Sequence, residues 1–385
     1  MVKLGIDVLL TQERHLIAQK RLALVSNYTM TDARLVPVID RLQAARNARL
    51  VRLFGPEHGV LNATREGEPV KTGVDAHSGL PAVSLYGDKK APEVDLLRDL
   101  DAVVIDLADI GSRYYTNPST LYYTLQAAEQ AGIQAIVLDR PNPIGGVARE
   151  GHVLDPAYQS FVGMLPVPIR HGLTFGEEAL LIRDRFLPTV DLVVVPTEGW
   201  ERHMLFPDTG LQFVPPSPNT TGFAMTLLYP GTCLFEGTNI SLGRGTPYPF
   251  TWLGAPWADG HAVAAWFNQQ HLPGVIARPV YFTPARSWYA GELVSGVALH
   301  IVDAQRVHAL KTGVTLIQAF LSLYPDQFRF GSEDDGTSRP FFDLLAGGPT
   351  LREAILSGST DAYFTEEARQ CAAFTNNVAP YLLYT

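Results

Sequence analysis

Apolar positions in the first two hundred residues fall into short solid runs separated by longer stretches with helical spacing. The runs lie at residues 21–27, 48–54, 81–87, 101–107, 133–139 and 191–196, and Ala102-Val103-Val104-Ile105 is typical of them. Runs with little polar alternation are buried on both faces, which is how parallel strands covered by helices read. Between them, residues 32–47 carry Leu35, Val38, Ile39 and Leu42 at helical spacing, residues 119–131 begin at a capping Ser119, and residues 174–186 form a further helix. The alternation predicts an α/β fold with a Rossmann-like, mainly parallel sheet and helices on both faces.

The texture changes after Pro215. Pro215-Pro216-Ser217-Pro218-Asn219, Leu228-Tyr229-Pro230-Gly231 and Gly243-Arg244-Gly245-Thr246 read as turns leaning over the sheet edge. Beyond them come a helix at 261–270, strands at 275–284 and 293–301, a helix at 307–323 and a helical pair at 350–356 and 365–372. The expected division is residues 1–224 as a Rossmann-like catalytic domain and 225–385 as a smaller α+β domain closing a cleft.

Composition narrows the chemistry. A formal charge of -9, a pI near 5.6 and the lack of any Lys/Arg run argue against a nucleic-acid partner and leave small molecules or glycans. The N-terminal apolar run stops at Thr11, too short for a secretory core or a membrane span, so the chain as given is expected to be cytoplasmic, or secreted or periplasmic had a signal been trimmed. Cys233 and Cys371 stand far apart, which excludes a zinc knuckle and leaves reduced thiols as the expectation. No Gly-x-Gly-x-x-Gly follows a strand and no phosphate-binding Gly-x-x-x-x-Gly-Lys-Ser/Thr occurs, so no cofactor is expected. Asp106, Asp109, Asp139 and His58 are types that bind metals, but no spacing motif organises them, and a metal is not expected either.

Open α/β sheets place their chemistry beyond the carboxyl ends of the strands. The second run enters Leu53-Phe54-Gly55-Pro56-Glu57-His58-Gly59, which sets a carboxylic acid and an imidazole side by side in a stiffened turn. The fourth is followed by Asp106, Asp109, Arg113, Tyr114 and Tyr115, and the fifth by Asp139-Arg140-Pro141-Asn142. On a parallel sheet these three rims converge. The plainer alternative is that Asp106–Arg113 or Asp139–Arg140 are ion pairs that tie loops together. Tyr86, Tyr114, Tyr115, Trp252 and Trp257 suit stacking on sugar rings, Asn142, Asn219 and Asn239 suit hydroxyl or acetamido groups, and Arg113, Arg140, Arg170 and Arg244 offer forks for a carboxylate.

Taken together, Phe54 to Gly59, Ser84-Leu85-Tyr86-Gly87, Asp106 to Tyr115, Leu138 to Pro143, Pro168 to Thr174, Ser217-Pro218-Asn219, Glu236 to Ser241 and Gly243 to Thr246 resemble the exo-β-N-acetylmuramidase (NamZ-type) family, glycoside hydrolase family 171. The resemblance covers nearly the whole chain. It implies release of N-acetylmuramic acid from the non-reducing end of peptidoglycan-derived glycans such as muropeptide fragments, as in cell-wall recycling, in a cleft between the two domains. It also implies Glu57 as the leading catalytic residue; the second group is expected to be Asp109 or His58. The substrate contacts expected are Arg113, Tyr115, Asp139, Asn142, Arg170, Asn219, Glu236, Asn239 and Arg244. Ala108, Tyr114 and Asn117-Pro118 depart from the family's usual Gln, Phe and Thr-Tyr in the fourth-strand loop. The rival readings are a non-enzymatic sugar- or muropeptide-binding protein and a metal-dependent carbohydrate hydrolase.

Overall fold

The computed structural model describes residues 1–385 except 66, 67, 69–71, 88 and 332–338. The first apolar runs become β1 (Arg21–Val25) and β2 (Arg49–Gly55), followed by a two-residue β3 (Gly73–Val74) and then β4 (Pro81–Ser84), β5 (Ala102–Ile105), β6 (Gln134–Leu138) and β7 (Leu192–Val195). Their order across the sheet is β3-β4-β2-β1-β5-β6-β7, with only the β3–β4 pairing antiparallel. From β1 the chain builds outward to β2 and β4, then resumes on the other flank with β5. The direction of travel reverses between β1 and β5, and at such a switch point the loops diverge and leave a crevice.

Helices cover both faces. The N-terminal apolar run is a core helix, α1 (Gly5–Thr11), with Ile6 and Leu9 fully buried. The next, α2 (Val38–Gln43), is shorter than its spacing predicts because the Asp32 carboxylate accepts from the Arg34 and Val36 backbone N–H groups and folds the preceding residues into a turn. The long α3 (Asn117–Ala131) starts two residues before Ser119, with Pro118 in its first turn and a left-handed Gly132 closing it. A reciprocal cap between Thr174 and Glu177 starts α4 (Phe175–Arg185).

The smaller lobe holds α5 (Phe223–Thr232), β8 (Trp252–Ala255), α6 (Gly260–Asn268), β9 (Val275–Phe282), β10 (Val294–Ile301), α7 (Ala309–Leu323), α8 (Phe341–Ala346), α9 (Thr350–Ser357) and α10 (Thr360–Val378). Its strands form an antiparallel sheet in the order β8-β10-β9. Where Leu228 to Gly231 reads as a turn, the chain is helical: Pro230 sits in the last turn, and the Tyr114 hydroxyl donates to the Pro230 carbonyl. Gly231 is there for another reason. It crosses α7 at Gly313 in backbone contact, and a Cβ on Gly231 would lie 1.9 Å from the Ala309 carbonyl oxygen.

The end of the chain returns to the larger lobe. Phe374, Val378 and Tyr381 pack into the same core as Leu121, Leu125 and Ile182, and the Tyr384 hydroxyl donates to Asp139 at 2.6 Å. No helix among the described residues is long and apolar enough to cross a membrane.

Candidate active site

A cavity of 590 Å³ opens at the switch point, between the carboxyl ends of the parallel strands and the smaller lobe. Asn27 beyond β1, Glu57 and His58 beyond β2, Tyr86 beyond β4, and Tyr114 to Asn117 beyond β5 form the larger lobe's wall. The linker contributes Ser217, Asn219 and Thr220. From the smaller lobe come Tyr229, Cys233, Glu236, Arg244, Phe250 and Trp288.

The turn that carries Glu57 is tight by construction. A side chain at Gly55 would have its Cβ 2.5 Å from the Val60 backbone nitrogen, so only glycine lets the strand fold back. His58 follows at φ +69°, a left-handed conformation that a non-glycine residue adopts only when its surroundings hold it there. Its Nδ1 lies 2.8 Å from the Thr64 carbonyl oxygen, so Nδ1–H donates and Nε2 remains as the basic nitrogen of the neutral ring. Glu57 Oε2 accepts from the Thr116 hydroxyl at 2.7 Å. Thr116 is the N-cap residue of α3, so the start of a fifteen-residue helix fixes where the Glu57 carboxyl group sits.

On the smaller lobe's wall, Arg244 pairs with Glu236 at 2.5 Å and lies over the Phe250 ring, 5.0 Å from its centroid. Burial pushes the Tyr114 and Tyr115 hydroxyls well up, so both remain donors at neutral pH. Burial likewise raises Cys233, the cavity's cysteine, and keeps it a thiol rather than a nucleophilic thiolate.

Of the candidate site residues singled out in the sequence, Glu57, His58, Tyr86, Tyr114, Tyr115, Asn219, Glu236 and Arg244 line this cavity. The others do not. Arg113 is 2% exposed and points inward, donating to the carbonyls of His152, Val167 and Leu345, so it braces the two lobes rather than presenting a fork; burial lowers it to about 10. Asp139 is fully buried beyond β6 and accepts from Thr174, the Gly176 N–H and Tyr384, and burial raises it to about 6. Asn142 bridges the Leu173 carbonyl and the Ile144 N–H. Arg170 pairs with Glu150 at 2.6 Å, and Asn239 fastens Gln327 and Arg329. The third expected rim is therefore capped by α4 and the returning C-terminus. Trp252 packs on Tyr248 and Phe282, and Trp257 on Tyr324, so neither reaches the cavity.

Asp109 also lies elsewhere, in a buried group with His171 and Glu178 whose ligand atoms all fall within 4.8 Å of one another. Its donor set is not that of a metal centre. His171 Nδ1 accepts from the Leu173 N–H, which puts the ring proton on Nε2, the atom facing Asp109 at 3.2 Å. A metal-ligating histidine does the reverse, donating from one nitrogen while the other binds. Burial, and then the charges of Asp109 and Asp139, push the Glu178 carboxyl well up, so it stays protonated there. Asp106 pairs with Arg140.

Sequence reasoning missed Thr116, Asn27 and Trp288. Thr116 is the next residue after the loop already marked, and Asn27 ends the first apolar run; Trp288, in a loop of the smaller lobe, carries no periodicity or motif.

Residues 22–224 match the model of the N-terminal domain, and residues 227–384 that of the C-terminal domain, of the exo-beta-N-acetylmuramidase NamZ. The chain is 40% identical over 384 residues to a peptidoglycan beta-N-acetylmuramidase NamZ of Bacillus subtilis (strain 168), an alignment covering 100% of this chain and 91% of that one. Two crystal structures of DUF1343 family proteins from Bacteroides fragilis superpose on it, with TM-scores of 0.90 and 0.75 and identities of 35% and 30%, each over 100% of this chain and 99% of the other.

Proposed function

The chain belongs to the exo-beta-N-acetylmuramidase NamZ family, and from that premise we propose that it removes N-acetylmuramic acid from the non-reducing end of peptidoglycan-derived glycans. The observation that carries the reading to particular residues is the position of Glu57: a carboxyl group beyond β2, set on the wall of the inter-lobe cavity and held by Thr116. As general acid, Glu57 gives its proton to the glycosidic oxygen while the bond from that oxygen to the anomeric carbon breaks. A water molecule then adds to the anomeric carbon and loses its proton to the second group. His58 has that part: with Nδ1–H committed to the Thr64 carbonyl, its Nε2 can accept a proton. Asp109, buried beside His171 and accepting from the Gly111 N–H, lies outside this cavity and is not placed for it.

The ring faces of Tyr86 and Tyr115 suit a pyranose and Asn219 suits its polar substituents, while the Tyr114 hydroxyl is spent on the Pro230 carbonyl. Arg244 is the arginine that the cavity presents among the described residues, and it is our assignment for the lactyl carboxylate that distinguishes muramic acid from glucosamine. The test is incubation with N-acetylmuramic acid β-1,4-linked to N-acetylglucosamine, followed by mass spectrometry. Both free monosaccharides are expected. Tight binding of the disaccharide with no release of either would favour a sugar-binding protein instead.

A further inference from the structure

An enzyme that takes sugars one at a time from a chain end must enclose the terminal ring and leave the departing ring toward solvent. The cavity has that gradient. Tyr114, Tyr115, Tyr229 and Phe250 are buried, Glu57 is half-buried, and Trp288 is half-buried on a loop whose neighbours Ala285, Arg286 and Ala290 are exposed. The buried rings form the deep wall, and Trp288 stands among exposed neighbours.

The loop that carries Trp288 joins β9 to β10 and is held in a conformation its sequence does not favour. Ser287 and Tyr289, on either side of the tryptophan, have φ of +61° and +64°, neither being glycine. Such backbone persists where surroundings over-determine it, and here they do. The Tyr289 hydroxyl donates to the Asn239 carbonyl at 2.9 Å and accepts from the Trp257 indole at 3.0 Å, while Gly291 N–H closes the loop on the Pro284 carbonyl. Asn239 and Trp257, two residues expected to touch substrate, thus act as the struts of this loop. The fixed Tyr289 leaves Trp288 on the cavity side, where the larger lobe supplies Tyr86 and Phe161 to the same space.

Resting on the exo-acting reading above, we infer that Trp288 forms a leaving-group subsite, its indole stacking on the face of the sugar that departs. Glu57 and Arg244 deal with the terminal ring; Trp288 holds what lies beyond the scissile bond. Stacking of this kind suits any pyranose and is indifferent to the lactyl group, so the subsite takes the neighbouring N-acetylglucosamine.

The experiment compares two substrates: the disaccharide, and β-N-acetylmuraminyl fluoride, whose leaving group has no ring. Replacement of Trp288 by Ala is expected to lower kcat/KM on the disaccharide roughly tenfold or more, with a loss on the fluoride several-fold smaller. W288F, which keeps a smaller ring, should fall between wild type and W288A on the disaccharide. Equal losses on both substrates, with thermal unfolding like wild type, would overturn the subsite by placing Trp288 against the terminal ring or in structural support. No loss on either overturns it as well. Wild-type protein that hydrolyses neither substrate removes the muramidase reading itself and the subsite with it, an outcome distinct from an active wild type whose W288A losses are equal.

Discussion

Replacing Glu57 by Gln isolates the proton that the proposed mechanism needs. Glutamine has almost the same volume, and its amide oxygen can still accept from the Thr116 hydroxyl that lies 2.7 Å from the carboxylate. The side chain is half-buried at a cavity wall, so the fold should notice little, with a stability change within about 1 kcal/mol. What disappears is the transferable proton. General acid catalysis contributes about 10²- to 10⁴-fold, equivalent to about 3 to 5 kcal/mol of barrier at 1.36 kcal/mol per decade. The assay is initial-rate release of N-acetylmuramic acid by mass spectrometry, run on the disaccharide and on a 4-nitrophenyl β-N-acetylmuraminide. The nitrophenolate leaves without help, so the deficit of E57Q should shrink at least tenfold on it. A rate equal to wild type on the disaccharide refutes the assignment, and so does an equal deficit on both substrates, which would point to a nucleophile or a binding contact.

Further consequences concern support and stability. Thr116→Val removes the hydroxyl that orients Glu57 and is expected to slow turnover of the disaccharide roughly tenfold, with Thr116→Ser restoring most of it, as steady-state kcat would report. His308 bridges Glu150 and Glu367 where α7 meets the loop from the larger lobe. Burial would lower its pKa, but the two carboxylates outweigh that and raise it to about 10; Glu150, which burial would raise, is brought to about 2 by His308 and Arg170. A raised histidine stabilises fully below its unfolded value of about 6.5 and loses that contribution as pH climbs toward 10. Thermal unfolding of wild type should therefore fall between pH 6.5 and 10 more steeply than that of His308→Gln, and parallel curves would contradict the linkage. Gly231→Ala forces a methyl carbon to within 1.9 Å of a backbone oxygen and should cost about 3 kcal/mol or more, read as a Tm several degrees lower or as loss of soluble protein.

The sheet was legible because its strands are solid apolar runs such as Ala102–Ile105, which can be little else. Strand ends were legible for the same reason, and with them Glu57 and His58. Which rims stay open was not. Asp139 and Asn142 follow their strand as promisingly as Tyr114 and Tyr115 follow theirs, yet α4 and the last residues of the chain cover the former. That cover comes from Gly176 and Tyr384, 37 and 245 residues further along, a separation no local pattern encodes. Arg113 misled in a related way: its fork is satisfied by backbone carbonyls, one of them Leu345 of the smaller lobe. The helix at Phe223–Thr232 was hidden by Pro230 and Gly231, turn formers that here serve a helix end and a helix crossing. Trp288 was invisible because its role depends on backbone angles.

The central claim is that this cavity accepts a terminal muramic acid ring and hydrolyses the one bond beyond it. Two isomeric disaccharides test it directly: N-acetylmuramic acid at the non-reducing end of N-acetylglucosamine, and the reverse order. Wild-type protein should release free N-acetylmuramic acid from the first and leave the second intact on the same time course. Cleavage of both at similar rates, or of the second alone, would contradict the account.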